Sequence, residues 1–302
     1  MQWIAFLLCL AASTSLLHAE TLIVPNGSFE SPATTFLDNR IDGWEKAPRP
    51  IWYDESGGFY WDQLSGVFRN TDPGSPDHID NCAQNQGLYL FAVPEAGIFQ
   101  DYESKDWSTN GPLRAFNAQY EIGKSYALTM GVIGGAGNMA EGATLDVSLY
   151  YRNLSGNMIG IASKPIRNSK TVFPNTTHLV DFQVDVPIVK NTDPWAGRHI
   201  GVRVLSTADP ELAGGYWDLD NVRLTSLIGP SLTLQIVKEG GNARLQWLSA
   251  VGYRYQLQVS SNLQTWSDYG GPVTGTGLPT STTIPFSSFS RAFFRVVSTP
   301  QP

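Results

Sequence analysis

Apolar and polar residues alternate along most of the chain after its first 20 residues. In residues 144–152 the apolar side chains occupy every second position: Leu145, Val147, Leu149 and Tyr151. The same alternation recurs in three further segments: 126–132, 180–186 and 200–204. A period of two is typical of a β-strand with one buried face. Because glycine, proline and asparagine separate these runs, the pattern predicts an all-β protein built as a sandwich of short strands.

Residues 52–86 lack this regularity and are rich in aromatic and turn-forming residues. Such a composition favours long loops over strands. We expect these loops to lie together at one rim of the sandwich. Long loops on a rigid scaffold are common places for binding residues, so this segment is a candidate for the functional surface.

The N-terminus carries an apolar run over residues 3–12, followed by small and polar residues up to Ala19. Such a run is too short to span a bilayer but suits the core of a secretory signal peptide. No later segment reaches the length of a membrane span. The sequence therefore predicts a signal peptide at residues 1–19 and a secreted protein, either extracellular or periplasmic.

A break in the strand pattern falls around Gly229 and Pro230. Alternation resumes beyond it and ends in the run Phe-Phe-Arg-Val at residues 293–296. This ending and the stretch 255–266 resemble small C-terminal β modules of secreted bacterial proteins. We expect a main β-sandwich at residues 20–228 and a small β accessory domain at 229–302, with a surface-attachment or spacer role for the latter.

Composition narrows the possible partners. The chain has a net charge of −7 and no cluster of lysine and arginine, which argues against a nucleic-acid partner and against an anionic membrane surface. Only two cysteines are present, and Cys9 lies in the predicted signal peptide. Cys82 then has no partner for an intramolecular disulfide, so the predicted domain depends on a large hydrophobic core.

Two motifs frame the predicted sandwich. Residues 25–30 read Pro-Asn-Gly-Ser-Phe-Glu, with Gly43 and Trp44 following, and residues 216–224 read Tyr-Trp-Asp-Leu-Asp-Asn-Val-Arg-Leu. This pair resembles the carbohydrate-binding jelly rolls of families 4, 9 and 22. It also resembles the Stig cyclases, jelly rolls that rearrange and cyclise indole-isonitrile terpenoids. Either resemblance implies a jelly-roll β-sandwich over roughly residues 22–225, but one scaffold hosts both binders and catalysts.

The resemblance also implies that Glu30 and Asp220 ligate a structural calcium ion. Calcium takes six to eight oxygen ligands, and carboxylates from the first and last parts of the domain would join its two ends. Asp220 alternates with Val222 and Leu224, which predicts that it shares their core face. A carboxylate there is costly unless it meets a metal or hydrogen-bond donors. The alternative is a solvated carboxylate at a strand end.

Asp218 lies two residues before Asp220 and on the same predicted strand face. Alternate strand residues are about 7 Å apart, so both carboxylates could share one metal ion. Alternatively, Asp218 lies desolvated in an aromatic pocket, where its raised pKa suits proton donation. The resemblance to the Stig cyclases implies that an aspartate of this terminal strand is the acid. The sequence leaves open whether Asp218 or Asp220 is its counterpart.

Aromatic residues with polar neighbours are candidates for glycan binding. Sugar rings stack their C–H faces on exposed aromatic rings, while polar side chains bond the hydroxyl groups. The alternative role for each ring is core packing. The residues that we predict to contact a ligand are Trp52, Tyr53, Tyr60, Trp61, Asp62, Gln63 and Trp107.

The leading prediction is a secreted, non-catalytic protein that binds a polysaccharide or glycoconjugate and carries a structural calcium ion. One alternative is a Stig-cyclase-like enzyme that uses Asp218 for acid-assisted rearrangement or cyclisation, and another is a structural or adhesive surface protein. The enzyme requires a closed cavity with aromatic walls around Asp218. The glycan binder requires solvent-exposed rings along a groove. The sequence does not indicate an oligomeric state.

Overall fold

The structure is a computed structural model that describes residues 19–105, 109–228, 234–250, 253–289 and 291–300. It divides into two compact units, Ala19–Leu227 and the chain from Ile228 onward, and each is described by itself. Among the described residues the helical elements are three short 3₁₀ turns: Trp61–Gln63, Pro210–Leu212 and Phe286–Ser288. The remaining regular structure is antiparallel β-sheet, which confirms the predicted all-β class.

The described part of the first unit contains twelve strands. They are β1 (Ala19–Leu22), β2 (Leu37–Asp38), β3 (Glu45–Lys46), β4 (Ser65–Arg69), β5 (Gln86–Phe91), β6 (Gly97–Gln100), β7 (Lys124–Ala136), β8 (Thr144–Arg152), β9 (Met158–Arg167), β10 (Val180–Val186), β11 (Gly201–Ser206) and β12 (Tyr216–Ile228).

These strands form two sheets. The seven-stranded sheet has the order β10-β7-β12-β5-β4-β2, with β1 also paired to β12, and the five-stranded sheet has the order β3-β6-β11-β8-β9. Strands distant in sequence are neighbours in both sheets. The first and last strands pair antiparallel, with Leu22 opposite Leu224. Two antiparallel sheets with this long-range pairing form the predicted jelly-roll sandwich.

The hydrophobic core lies between the two sheets. Fully buried side chains from one sheet, such as Leu128 and Trp217, belong to the same cluster as Val147 and Val202 from the other. The opening motif also contributes to this core through Phe29, whose ring lies 5.5 Å from that of Trp44. Burial of these apolar side chains provides the main stabilising free energy of the unit.

The opening and closing motifs are in direct contact. The Val222 amide donates a 2.8 Å hydrogen bond to the Gly27 carbonyl. A Cβ atom at position 27 would lie 2.7 Å from the carbonyl oxygen of Val222, closer than side-chain atoms approach a backbone oxygen. The motifs that frame the domain in sequence therefore close it in space, and glycine at position 27 allows that close approach.

Strand β12 changes the face that it presents to the core. Trp217 and Leu219 are buried in the core before Asn221, whereas Val222 and Leu224 are buried there after it. Asn221 has a φ of +59°, and this left-handed residue shifts the alternation by one position. Asp218 and Asp220 therefore share the opposite face, which corrects the expectation that Asp220 shares the core face of Val222.

The irregular segment 52–86 is only partly loop. It contains the turn at Trp61–Gln63 and strand β4, which pairs with β5 in the middle of the seven-stranded sheet. A Cβ atom at Gly66 would lie within 3 Å of the Tyr89 side chain, and one at Gly87 would lie equally close to the Phe68 ring. Strand β4 lacks clean alternation because small residues here make room for aromatic side chains.

The second unit contains seven strands among its described residues. They are β13 (Gln235–Glu239), β14 (Asn242–Leu248), β15 (Tyr253–Ser260), β16 (Ser267–Asp268), β17 (Val273–Thr274), β18 (Pro279–Pro285) and β19 (Phe293–Pro300).

They form a three-stranded sheet, β13-β14-β18, and a four-stranded sheet around β15. Leu245 and Trp247 of one sheet and Tyr255 and Leu257 of the other are buried. The second unit therefore has apolar side chains buried in both of its sheets. Within the described parts of the whole chain, no helix has the length and apolar character needed to cross a membrane.

Candidate functional site

A cavity of about 1100 Å³ lies on the outer face of the seven-stranded sheet, on the side away from the core. Its floor is formed by strands β4, β5 and β12. Its walls come from residues at positions 36–37, 53–64, 69–79, 135–138 and 176–177. A cavity of this size can enclose most of a drug-sized molecule.

Alternation along β5 and β12 positions the floor of the cavity. Tyr89 and Phe91 face the cavity, and in the register of the two strands they lie opposite Asp218 and Tyr216. The intervening residues of both strands point into the core. The Phe91 ring lies 5.8 Å from that of Tyr216. An acidic side chain is thus placed within a patch of aromatic rings.

Asp218 is 8% exposed and lines the cavity. Among the described residues, none donates a hydrogen bond to its carboxyl group or forms an ion pair with it. Burial alone raises the pKa of Asp218 to about 7, because the ionised form loses hydration without gaining a partner. The group therefore holds its proton to near-neutral pH, as a general acid requires.

The other charged residues that line the cavity lie nearer to solvent. Asp54 and Asp77 are exposed acids, and Arg69 is the one cationic side chain among the described lining residues. Arg69 lies 3.9 Å from the carboxylate of Asp72. The lining is therefore acidic and aromatic, which disfavours phosphate and carboxylate ligands.

Asp220 and Glu30 converge on one short segment, residues 83–86. The Asp220 carboxylate accepts 2.6 Å hydrogen bonds from the amides of Ala83 and Asn221. The Glu30 carboxylate accepts hydrogen bonds of 3.0 and 2.9 Å from the amides of Asn85 and Gln86. Asp220 thus joins this segment to strand β12, and Glu30 joins it to the opening motif.

The proximity of the two carboxylates affects Asp220. Burial raises the pKa of Asp220 to about 6, the amide donors oppose that rise, and the negative charge of Glu30 adds to it. A divalent cation would relieve this repulsion, and both groups retain lone pairs. The described residues contain no cluster of three or more His, Cys, Asp and Glu side chains suited to a metal. The other calcium ligands would then be carbonyl or water oxygens.

Cys82 lies beside the same segment. Its thiol donates to the Gln86 carbonyl at 3.1 Å. Burial, followed by the nearby charge of Asp220, raises the pKa of this thiol. The reactive thiolate is therefore disfavoured, which is consistent with a packing role for Cys82.

Three of the residues predicted to bind a ligand line the cavity together: Tyr53, Tyr60 and Gln63. Tyr60 is 54% exposed and lies at the mouth beside Phe59, which is 75% exposed. Tyr53 is partly buried and packs its ring 4.9 Å from that of Trp61. The irregular segment therefore does supply one wall of the cavity.

The remaining predicted ligand residues lie elsewhere. Trp61 is 8% exposed, belongs to the hydrophobic core, and donates its indole N–H to the Ala47 carbonyl at 2.7 Å. Trp52 is half exposed and donates to Glu95 at 2.9 Å. Asp62 forms an ion pair with Lys46 at 3.2 Å. Trp107 lies outside the described residues. Of these, Trp61 has its ring in the core rather than on a ligand-accessible surface.

The sequence pattern does not predict several of the residues that line the cavity, notably Phe36, Phe68, Tyr89, Phe91 and Tyr216. A usable signal was present in strand β5, where aromatic and aliphatic residues alternate as Leu88-Tyr89-Leu90-Phe91. A strand that is apolar on both faces has a second covered face. Here that second face is the floor of the cavity.

Comparisons with known proteins agree with the fold. No protein-family model matches the sequence, and no curated protein matches it. A cyclase from Fischerella sp. TAU is similar in structure, with a TM-score of 0.50 and 19% identity over 71% of this chain and 100% of that one. This likeness supports the jelly-roll fold of the first unit.

Two further solved structures are similar at lower scores. The Stig cyclase Fisc from Fischerella sp. TAU, in complex with (3Z)-3-(1-methyl-2-pyrrolidinylidene)-3H-indole, has a TM-score of 0.49 and 18% identity over 70% of this chain and 100% of that one. The CBM22-1 xylan-binding domain from Paenibacillus barcinonensis Xyn10C has a TM-score of 0.34 and 13% identity over 63% of this chain and 88% of that one. Both kinds of jelly roll that the sequence resembles are thus represented among similar structures.

Proposed function

We propose that the first unit is a Stig-cyclase-like enzyme that binds an apolar small molecule in the cavity, where Asp218 acts as a general acid. One observation carries this proposal: a buried carboxyl group faces a cavity with aromatic walls and accepts no hydrogen bond from any described residue. A glycan binder has no need for a desolvated acid. Of the functions considered, acid-assisted rearrangement or cyclisation fits this geometry best.

The proposed step uses only the Asp218 carboxyl group and the ligand. The O–H bond of Asp218 breaks as its proton adds to an electron-rich atom of the ligand, which leaves a cation. The cation rearranges or closes a ring and then loses a proton, which returns to the carboxylate. The acid is regenerated, so the step consumes no oxidant, reductant or co-reactant.

The walls of the cavity support such a step. The Phe91 and Tyr216 rings line the cavity with their centroids 5.8 Å apart, and aromatic rings attract a cation that forms close to their faces. The burial of Asp218 limits the access of water to its carboxyl group.

The acid can be tested without knowledge of the natural substrate. An aryl enol ether such as α-methoxystyrene is hydrolysed to acetophenone after rate-limiting protonation of carbon, and the reaction is followed by absorbance. We expect the full chain to accelerate this hydrolysis, and Asp218→Asn to lower the rate by about 100-fold or more. Asp209→Asn, an exposed aspartate outside the cavity, is the matched control. Equal rates for the wild type and Asp218→Asn would refute the proposed acid.

Glycan binding remains a second candidate because rings are exposed beside the cavity. Trp52, Phe59 and Tyr60 are each more than half exposed, and sugar rings stack on such surfaces. Affinity electrophoresis through gels that contain soluble polysaccharides would detect binding as retardation. Tyr60→Ala should abolish this retardation and Asp218→Asn should leave it unchanged. Unretarded migration in every gel would exclude this function.

We also propose a structural calcium ion held by Glu30 and Asp220, and export directed by residues 1–19. The convergence of the two carboxylates on residues 83–86 supports the calcium site. The apolar run over residues 3–12 supports export. Expression in a bacterial host should yield a periplasmic or extracellular protein whose N-terminal sequence begins at Glu20. An intact N-terminus on the recovered protein would contradict the signal peptide.

A further inference from the structure

The two units of the chain carry opposite net charge. Residues 228–302 contain five lysines and arginines but only two acidic residues, which gives this segment a net charge of +3. The whole chain carries −7, so the residues before position 228 carry −10. The second unit is therefore cationic although the protein as a whole is acidic, and its positive charge favours an anionic partner.

Strand pairing brings two arginines that are distant in sequence to one face of the four-stranded sheet. Arg295 of β19 lies opposite Gln258 of β15, and Arg254 is on the same face of β15 as Gln258 because the two are four positions apart. Tyr255 and Leu257 alternate with them and are buried on the other face. Arg254 and Arg295 are both exposed. Their positions lie about 13 Å apart along the strand direction.

The guanidinium group of Arg295 is held in place by its neighbours. Its central carbon lies 4.3 Å from the centroid of the Trp266 ring, and its Nε donates a 2.8 Å hydrogen bond to the side-chain oxygen of Gln258. The two terminal nitrogens have no hydrogen-bond or ion-pair partner among the described residues. A guanidinium positioned in this way can donate two parallel hydrogen bonds to one carboxylate with little further loss of side-chain freedom.

The second unit has too few carboxylates to neutralise its arginines. Glu239 forms an ion pair at 3.2 Å with Arg244, and both belong to the other sheet. The Asp268 carboxylate accepts a 2.8 Å hydrogen bond from the side-chain amide of Gln258. Within the part of this unit that the structure describes, neither Arg254 nor Arg295 forms an ion pair. An anionic ligand would supply the negative charge that this face lacks.

We propose that this outer face of the four-stranded sheet binds an acidic polysaccharide through its carboxylate groups. Carboxylates along the polymer would pair with Arg254 and Arg295, and its hydroxyl groups would bond polar side chains of the same face, such as the exposed Thr299 opposite Arg254. Such binding would give the second unit a role in surface attachment. The inference is independent of the function proposed for the first unit.

The spacing of the two arginines favours this ligand over other polyanions. Double-stranded DNA carries about one charge per 1.7 Å, and binding to it requires a dense basic stripe. Anionic membranes attract clusters of about four to eight basic residues. Two arginines about 13 Å apart, with neutral polar side chains between them, suit a polymer that has sparse charges and many hydroxyl groups.

The full chain can be tested on a pair of polymers that differ only in charge. Biolayer interferometry would compare immobilised polygalacturonate with its methyl ester, in buffers without calcium so that no metal ion bridges the polymer to the protein. We expect the acid form to bind at least about tenfold more tightly than the ester, because only the acid form can pair with the guanidinium groups. Salt at about 0.5 M should largely remove this difference by screening.

Variants identify the face responsible. Arg295→Gln and Arg254→Gln should each weaken binding to polygalacturonate by about fivefold or more. Lys238→Gln removes the same charge from an exposed position of the other sheet and should leave the affinity nearly unchanged. Arg295→Lys should lose part of the affinity, since lysine keeps the charge but cannot form the paired hydrogen bonds. Tyr60→Ala, in the first unit, should bind like the wild type.

Several results would overturn the inference. These are no binding to polygalacturonate, equal affinity for its methyl ester, equal losses in Arg295→Gln and Lys238→Gln, and loss of binding in Tyr60→Ala. Tighter binding to double-stranded DNA, or to vesicles of phosphatidylglycerol and phosphatidylcholine, would also overturn it and would identify a face for phosphate groups instead. None of these results bears on enol ether hydrolysis, so the two proposals fail separately.

Discussion

At the scale of single residues, two aspartates on one face of one strand have opposite surroundings. Asp220 accepts two backbone N–H groups and holds the segment 83–86. Asp218 has no such donor among the described residues and faces the cavity. The sequence places them two positions apart, but one donor to Asp220, the amide of Ala83, comes from a distant part of the chain. Asp220 therefore anchors that segment, whereas Asp218 is the group to which we assign the role of the acid.

The burial of Asp218 predicts a pH-dependent stability difference between the wild type and Asp218→Asn. Its pKa rises from 3.8 to about 7 on folding, so the folded state holds the proton more tightly. This stabilisation is complete below pH 3.8 and is lost as the pH rises to about 7, a change of roughly 4 kcal/mol. Asparagine cannot ionise, so Asp218→Asn should gain stability relative to the wild type over that interval.

Urea unfolding of both proteins at pH 4, 5.5 and 8, in buffers freed of calcium by a chelating resin, measures this difference. Asp209→Asn should follow the wild-type curve at every pH because this aspartate is exposed. If the difference in free energy of unfolding between the wild type and Asp218→Asn were the same at every pH, the carboxyl group would be hydrated in the folded protein.

At the scale of elements, strand β12 contributes side chains to both the core and the cavity. The alternation of its core-facing and outward-facing residues shifts by one position at Asn221. Before this residue the odd-numbered side chains are in the core, and after it the even-numbered ones are. A φ of +59° is accessible to asparagine and glycine but costly for β-branched residues. The shift keeps both halves of the strand apolar on the side of the core while Asp218 faces the cavity.

This position predicts different effects for two substitutions. Asn221→Val should lower the free energy of unfolding by about 1–2 kcal/mol, because valine is strained at positive φ. Asn221→Gly should change it by only a few tenths of a kcal/mol. Thr225→Val, at an ordinary extended position of the same strand, is the control. Urea unfolding that gives equal losses for Asn221→Val and Thr225→Val would contradict the role of the left-handed residue.

The sequence predicts those elements whose pattern is local. The period of two over residues 144–152 coincides with β8, and Val184 and Val186 of β10 are buried as predicted. The same reasoning fails for strand β12, because the left-handed residue Asn221 shifts the alternation by one position and reverses which side chains face the core. Strand β4 lacks a regular pattern, since its Gly66 lies directly against the Tyr89 side chain of the neighbouring strand.

The cavity was predictable only in part, for a related reason. Tyr53, Tyr60 and Gln63, aromatic and polar residues of one irregular segment, line the cavity as the sequence predicts for a ligand-binding surface. Trp61 meets the same criterion but is in the core. Composition marks a segment rich in aromatic residues, whereas the assignment of each ring to core or cavity depends on pairing between distant strands.

At the scale of the whole molecule, the first unit is closed by contacts between its two ends. Glu30 ends the opening motif, Asp220 belongs to the closing motif, and both bind residues 83–86. If calcium occupies this place, it should raise the midpoint of thermal unfolding, by about 3 kcal/mol of stabilisation at a hundredfold excess over its dissociation constant. Calorimetry of the full chain in calcium chloride and in EGTA measures this shift.

The matched variants separate a specific site from a general effect of salt. Glu30→Gln should melt at the same temperature in calcium and in EGTA. Glu211→Gln, at an exposed position outside this region, should keep the full response to calcium. A wild-type midpoint that is identical in calcium and EGTA would eliminate the proposed Glu30–Asp220 site.

The division into two units predicts that the first one functions without the second. Every described residue that lines the cavity lies between Phe36 and Asp218, and the core cluster of this unit extends from Val24 to Leu224. A fragment of residues 20–228 should therefore keep the hydrolysis of α-methoxystyrene and its dependence on Asp218. Because each unit buries its own apolar side chains, the full chain should show two calorimetric transitions and the fragment only one. A fragment that neither unfolds cooperatively nor hydrolyses the enol ether would show that the cavity depends on the second unit.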